Sequence, residues 1–131
     1  MRSVGATDTK IILIVEEHVP AREQLAEFVR RLGFIAVPAA DPESAAVIAR
    51  KLHIDLVILR VAENLAAVAS ISDLKRRRPE IAVLALAQSD AFAEPLLRSA
   101  GADVVMPASG GIVDLDEPIR RLLRIGGPNP R

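Results

Sequence analysis

Glu16-Glu17-His18 follows the apolar run Ile11–Val15, and a single base, Arg60, closes a second apolar run that begins at Leu56. Both runs are rich in β-branched residues and read as strands buried on both faces. In a parallel sheet the carboxyl ends of the strands open on the crevice where ligands bind, so these charged residues stand where chemistry would occur. A carboxylate pair there suits a divalent cation, and His18 adds an imidazole to the donor set. Ligands adjacent in sequence, with no supporting shell and with Arg60 beside them, do not make a convincing metal site. The expectation is instead that Arg60 pairs with Glu16 or Glu17, because clustered carboxylates repel unless something neutralises them. The alternative leaves Arg60 in solvent and both glutamates hydrated.

Composition removes several classes of function. At 131 residues the chain has the length of one domain with a single core. Its formal net charge is zero, which gives no electrostatic footprint for direct nucleic-acid or membrane binding. Three Phe, with no Tyr or Trp, supply stacking platforms poorly. The absence of Cys excludes disulfides, thiolate metal sites and Cys nucleophiles. No apolar run reaches transmembrane length and the first ten residues lack a signal-peptide core, so a cytoplasmic location is expected. No catalytic residue and no cofactor is expected either.

The elements that position the charged residues can be placed by pattern. After the first strand, Pro20 suits a helix start; Leu25, Phe28, Val29 and Leu32 follow at helical spacing, and Gly33 ends it. A short second strand is expected over residues 34–37. Asp41-Pro42-Glu43 supplies a cap, an N1 proline and a first-turn acid for a helix running to residue 52. The central strand, opening on Asp55, is followed by a helix over 65–78 that ends in Lys75-Arg76-Arg77-Arg78. That basic cluster is expected to complement the helix dipole and be solvated. A fourth strand over 81–86 precedes a short helix capped near Ser89 and Asp90, with Pro95 in its first turn or kinking it. A fifth strand over 104–106 precedes an irregular loop and a last helix over 114–124. Residues 1–9 read as a flexible lead-in, 10–124 as one domain, and 125–131 as linker composition. Strands alternating with helices imply right-handed crossovers and a parallel sheet with helices on both faces.

The order and spacing of these segments resemble the receiver domain of two-component response regulators. The stretches that carry the likeness are Ile12-Leu13-Ile14-Val15-Glu16-Glu17, Asp55-Leu56-Val57-Ile58-Leu59, Arg78-Pro79-Glu80-Ile81 and Ala100-Gly101-Ala102-Asp103. The resemblance implies an α/β, flavodoxin-like (βα)5 doubly wound sheet of strand order 2-1-3-4-5. It also implies a phosphorylation site made of an acidic pair for Mg²⁺, an acceptor Asp, a hydroxyl and a lysine, with an aromatic switch residue. Here the acidic pair remains as Glu16 and Glu17, but the acceptor position is Arg60, the hydroxyl position Leu86, the lysine position Ala108 and the aromatic position Val105.

Such a chain resembles a pseudo-receiver that cannot be phosphorylated and regulates by protein contact. The family's usual interaction face, made by the fourth helix, fifth strand and fifth helix, implies a protein partner or a homodimer. It would draw here on Arg98, Val105, Arg120, Arg121 and Arg124, with Asp103 as an available acidic group. Two rival readings are a relocated acceptor, at Asp55 or Glu63, and a small-molecule binder using the strand-end crevice. A cobalamin domain is set aside because Val19-Pro20-Ala21 lacks the glycine that must follow the histidine.

Overall fold

The computed structural model describes residues 9–61, 66–88 and 93–124. In chain order the elements are β1 (Ile11–Val15), α1 (Val19–Arg31), β2 (Ile35–Ala39), α2 (Pro42–Lys51), β3 (Leu56–Val61) and α3 (Ala66–Arg77). They continue with β4 (Ala82–Ala87), α4 (Ala93–Ala100), β5 (Val104–Pro107), a 3₁₀ turn (Ile112–Leu115) and α5 (Asp116–Leu123). The strands form one parallel sheet ordered β2-β1-β3-β4-β5, the topology expected for a flavodoxin-like fold.

Alternation along the strands divides the core into two layers. Leu13, Val15, Val57 and Leu59 point to the face covered by α2, α3 and α4, where Ala45, Ile71 and Leu97 meet them. Ile12, Ile14, Leu56 and Ile58 point to the opposite face, against Leu25 and Val29 of α1 and Ile119 and Leu123 of α5. In β3 every residue is buried except Arg60, which explains why the strand is apolar at every other position, Val61 included. Burying such side chains contributes roughly 1.5–3 kcal/mol each, which fixes the register against slippage.

Local signals set the boundaries. Gly33 ends α1 with φ of 99°, a left-handed backbone that glycine adopts without a Cβ penalty. Asp41 caps α2 by accepting the Ser44 N–H at 2.7 Å, and Pro42 occupies the first turn. The second strand lies later than its pattern suggested, over Ile35–Ala39, and includes Pro38. An edge strand tolerates that proline because one side of its backbone needs no partner. Pro95 falls in the first turn of α4. The last helix is shorter than expected: residues 112–115 form a 3₁₀ turn before the α-helix starts at Asp116. Pro118 explains the break, because its ring would clash with the carbonyl four residues earlier in a continuous α-helix.

The basic cluster ending α3 is not simply solvated. Lys75 Nζ donates to the Ile81 carbonyl at 2.9 Å and to Asp103 Oδ2 at 2.9 Å. Arg78 Nη1 reaches the Ala49 carbonyl in the last turn of α2 at 3.0 Å, while its Nε binds Glu80 at 2.6 Å. Only Arg76 and Arg77 stay on their own helix, paired with Asp73. Two of these cations therefore join elements rather than decorate a surface. Calling the cluster a solvated dipole complement underestimates a long side chain's reach to carbonyls across a turn.

The Asp41 cap is testable through pH. The Ser44 backbone N–H holds its carboxyl below the usual range. A folded-state value lowered in this way stabilises the fold above about pH 4 and is lost as pH falls through the lowered value. Asp41→Ala is therefore expected to melt earlier than the parent at pH 7, with the gap closing in strongly acidic buffer. Calorimetry across that range would expose a pH-independent gap, which would assign the effect to something other than the charge.

Candidate functional site

At the carboxyl end of the sheet, β1, β3 and β4 lie side by side. Val15 is in register with Leu59, so Glu16 and Arg60 leave adjacent strands at the same level. Arg60 is itself in register with Leu86, and Leu86 with Met106 of β5. This juxtaposition comes from the parallel register alone, with no long loop needed to deliver the groups.

Arg60 Nε donates to Glu16 Oε1. Glu16 is 4% exposed, the one buried charged residue among those described. Its second carboxylate oxygen, Oε2, accepts the His18 N–H at 2.8 Å. The Glu16 backbone is also occupied: its N–H donates to the Ala39 carbonyl at 3.0 Å, and its carbonyl accepts Arg22 Nη1 at 2.9 Å. Every polar atom of this residue is thus satisfied, as a buried charge requires.

The pairing selects between the two glutamates. Glu17 is exposed, and only its carbonyl is engaged, by Arg22 Nη1 at 3.4 Å. His18 takes part through its backbone, not its imidazole, and is itself exposed at the start of α1. Arg22 was not singled out in the sequence. Its signal is position: one turn into α1, within reach of the loop that the helix follows. Among the described residues, no cluster of three metal-ligating side chains occurs.

Leu86 is buried and Ala108 half-buried, and both belong to the apolar cluster on the α1 and α5 face. The Ala108 N–H donates to the Ala87 carbonyl at 2.7 Å, which holds the chain beyond β5 against β4. Neither side chain has an atom that can bind an oxyanion. The structure thus brings Glu16, Arg60, Leu86 and Ala108 to one end of the sheet and leaves Glu17 outside.

The two acidic residues at the opposite end serve the fold. Asp55 Oδ2 accepts the Ile11 N–H at 2.8 Å, and Asp103 Oδ2 accepts the Val83 N–H at 2.8 Å as well as Lys75. Asp103 is therefore engaged internally and not the available acidic group expected from sequence. Glu63, Ser89 and Asp90 lie outside the described residues. On the outward helices, Arg98 pairs with Glu94 at 2.9 Å, Arg120 with Asp116 at 2.5 Å and Arg121 with Glu117 at 3.4 Å, each one turn away. Arg124 ends α5 in the left-handed conformation, and Val105 is half-buried against the core.

Removing one side of the Glu16–Arg60 pair leaves a buried carboxylate without its cation. A fully buried pair broken in this way costs about 3–5 kcal/mol. The Arg60 side chain keeps 28% of its exposure, so solvent screens part of that loss. We expect Arg60→Met to lose about 2–3 kcal/mol in urea unfolding. Glu16→Gln combined with Arg60→Met should be more stable than Arg60→Met by itself, because the uncompensated charge is gone. Equal stability of the two variants would show that the carboxylate is relieved by solvent instead.

No protein-family model matches the chain, and no curated protein matches it in sequence. Solved structures do resemble it. A response regulator from Thermotoga maritima superposes with a TM-score of 0.82 at 20% identity, covering 88% of this chain and 98% of that one. The chemotaxis protein CheY4 of Vibrio cholerae gives 0.80 at 16% identity, covering 87% and 98%. The response regulator TrrA of Thermotoga maritima, in complex with Mg²⁺ and BeF, gives 0.78 at 23% identity, covering 87% and 99%. The chain has the flavodoxin-like fold of response-regulator receiver domains.

Proposed function

We propose that this receiver-like domain accepts no phosphoryl group and acts in signal regulation by binding a protein. The observation that carries the reading is the Arg60–Glu16 ion pair at the end of β3. Phosphoryl transfer to a carboxylate needs an ionised Asp or Glu as nucleophile, and a protonated guanidinium cannot serve. The site does not fit a divalent cation either, since Arg60 and the His18 N–H take both Glu16 carboxylate oxygens. Leu86 and Ala108 supply no hydroxyl or ammonium for the transferred oxygens. Asp55 offers no relocated acceptor, because it lies at the opposite end of the strand and holds the Ile11 N–H.

With the chemistry gone, the remaining use of such a domain is its surface. The face formed by α4, β5 and α5 presents Arg98, Arg120, Arg121 and Arg124 outward. Three of them are tied by single-turn ion pairs that exchange readily with a partner's carboxylates, because exposed pairs contribute little. A protein partner with an acidic patch, or a second copy of the chain, fits this face. Among the described residues no helix is long and apolar enough to cross a membrane.

Incubation with acetyl phosphate and Mg²⁺ is expected to leave the intact mass unchanged, and beryllofluoride to leave the amide NMR spectrum unchanged. TrrA is a suitable positive control for the beryllofluoride arm. Acid-labile phosphate at one equivalent per chain would overturn the proposal. Arg60→Asp is also expected to label slowly, because each missing electrostatic contact costs roughly 10²–10³ in rate. Rapid labelling of that variant would mean that the surrounding site is intact. Charge reversal at Arg120 and Arg121 should abolish partner binding or self-association in sedimentation without moving the melting temperature by more than about 2 °C. Unchanged association would remove this face from the proposal.

A further inference from the structure

On the face of the sheet away from Arg60, α2 and α3 leave between them a cleft of about 480 Å³. Leu13, Val15, Val57 and Leu59 form its floor. Its cause is side-chain length. The walls are Ala46 and Ala49 from α2 and Ala69 from α3, too short to fill the groove between neighbouring helices. Clefts that bind small molecules commonly measure roughly 300–1,000 Å³ and have mostly apolar walls with a few placed polar groups. Water here finds few hydrogen-bond partners, so an apolar molecule replaces it favourably.

Charge at one end of the cleft narrows the class of ligand. The carboxyl ends of α2 and α3 lie together there and contribute Arg50, Arg77 and Arg78 to the lining, against the single acid Asp73. Asp73 is already shared by Arg76 and Arg77. Arg78 is held by Glu80 and the Ala49 carbonyl. Among the described residues Arg50 has no ion-pair partner, so its guanidinium is the donor left over at this end. Glu43 lines the other end, about 10 Å along α2, where it complements the amino terminus of that helix. A planar guanidinium matches a carboxylate in two parallel hydrogen bonds.

We propose that the cleft between α2 and α3 binds an apolar monocarboxylate, its hydrocarbon part along the alanine walls and its carboxylate on Arg50. The test is titration of the full chain with decanoate below its micellar concentration, read by methyl NMR. Saturable shifts are expected at Leu13, Val15, Val57 and Leu59, while Ile12 and Ile58 on the opposite face stay in place. Arg50→Gln should weaken decanoate about tenfold and leave decanol unaffected. Ala69→Leu, which fills the cleft from an exposed position, should abolish binding of both. Absence of saturable shifts at millimolar decanoate, or equal shifts on both faces, would overturn the site. Decanoate affinity unchanged in Arg50→Gln would overturn the carboxylate as the ligand class.

Discussion

Glu16 is held at 4% exposure where β1 runs out, beside strands that are apolar throughout except for Arg60. An uncompensated carboxylate in that place would cost several kcal/mol, which is a large share of a small domain's net stability. Arg60, the His18 N–H and the satisfied backbone of Glu16 together remove that cost. The loop after β1, the start of α1 and the end of β3 are each fixed by one of these bonds. A receiver that works by phosphorylation needs the same place to exchange a metal and a phosphoryl group. Here a guanidinium tethered to β3 lies against the Glu16 carboxylate at that place.

The two ends of the sheet solve the same electrostatic problem differently. At the amino end, Asp55 accepts the N–H of Ile11, the first residue of β1, Asp103 accepts that of Val83, the second residue of β4, and Lys75 completes the Asp103 site. Those acids replace hydrogen-bond partners that the ladder cannot supply at its edge, a purely structural use. At the carboxyl end the acid is buried and needs a whole cation. Position relative to strand direction therefore separates the carboxylates that hold strand amides from the buried one that pairs with Arg60, and composition does not.

Much of this was legible in the chain. The runs Ile11–Val15 and Leu56–Leu59 announce buried parallel strands because nothing polar interrupts them, and the order of elements then fixes the crossovers. Placing Arg60 beside Glu16 needed only strand ends and charge. What could not be read was which glutamate would turn inward, since that depends on the register of β1 against β3, which sets Glu16 level with Arg60. The roles of Lys75, Arg78, Asp55 and Asp103 were hidden for a related reason. Their partners are carbonyls and amides of distant segments, and a backbone atom leaves no mark in a sequence. The 3₁₀ turn before α5 was within reach, since Pro118 forbids a longer α-helix, but hydrophobic spacing by itself passes over it.

Alternation along β1 and β3 also separates the two sites. Val15 and Leu59 face the cleft between α2 and α3, while the next residues, Glu16 and Arg60, turn to the side of α1 and α5. The cleft's positive end lies at the amino edge of the sheet and the ion pair at its carboxyl edge, with a layer of aliphatic side chains between them. Charges so divided interact weakly, because distance and counter-charges such as Asp73 and Glu80 screen the arginines near the cleft. Small residues in α2 and α3 create the opening without touching the register that aligns Glu16 with Arg60. The ion pair at the strand ends and the cleft beneath the helices therefore depend on different side chains.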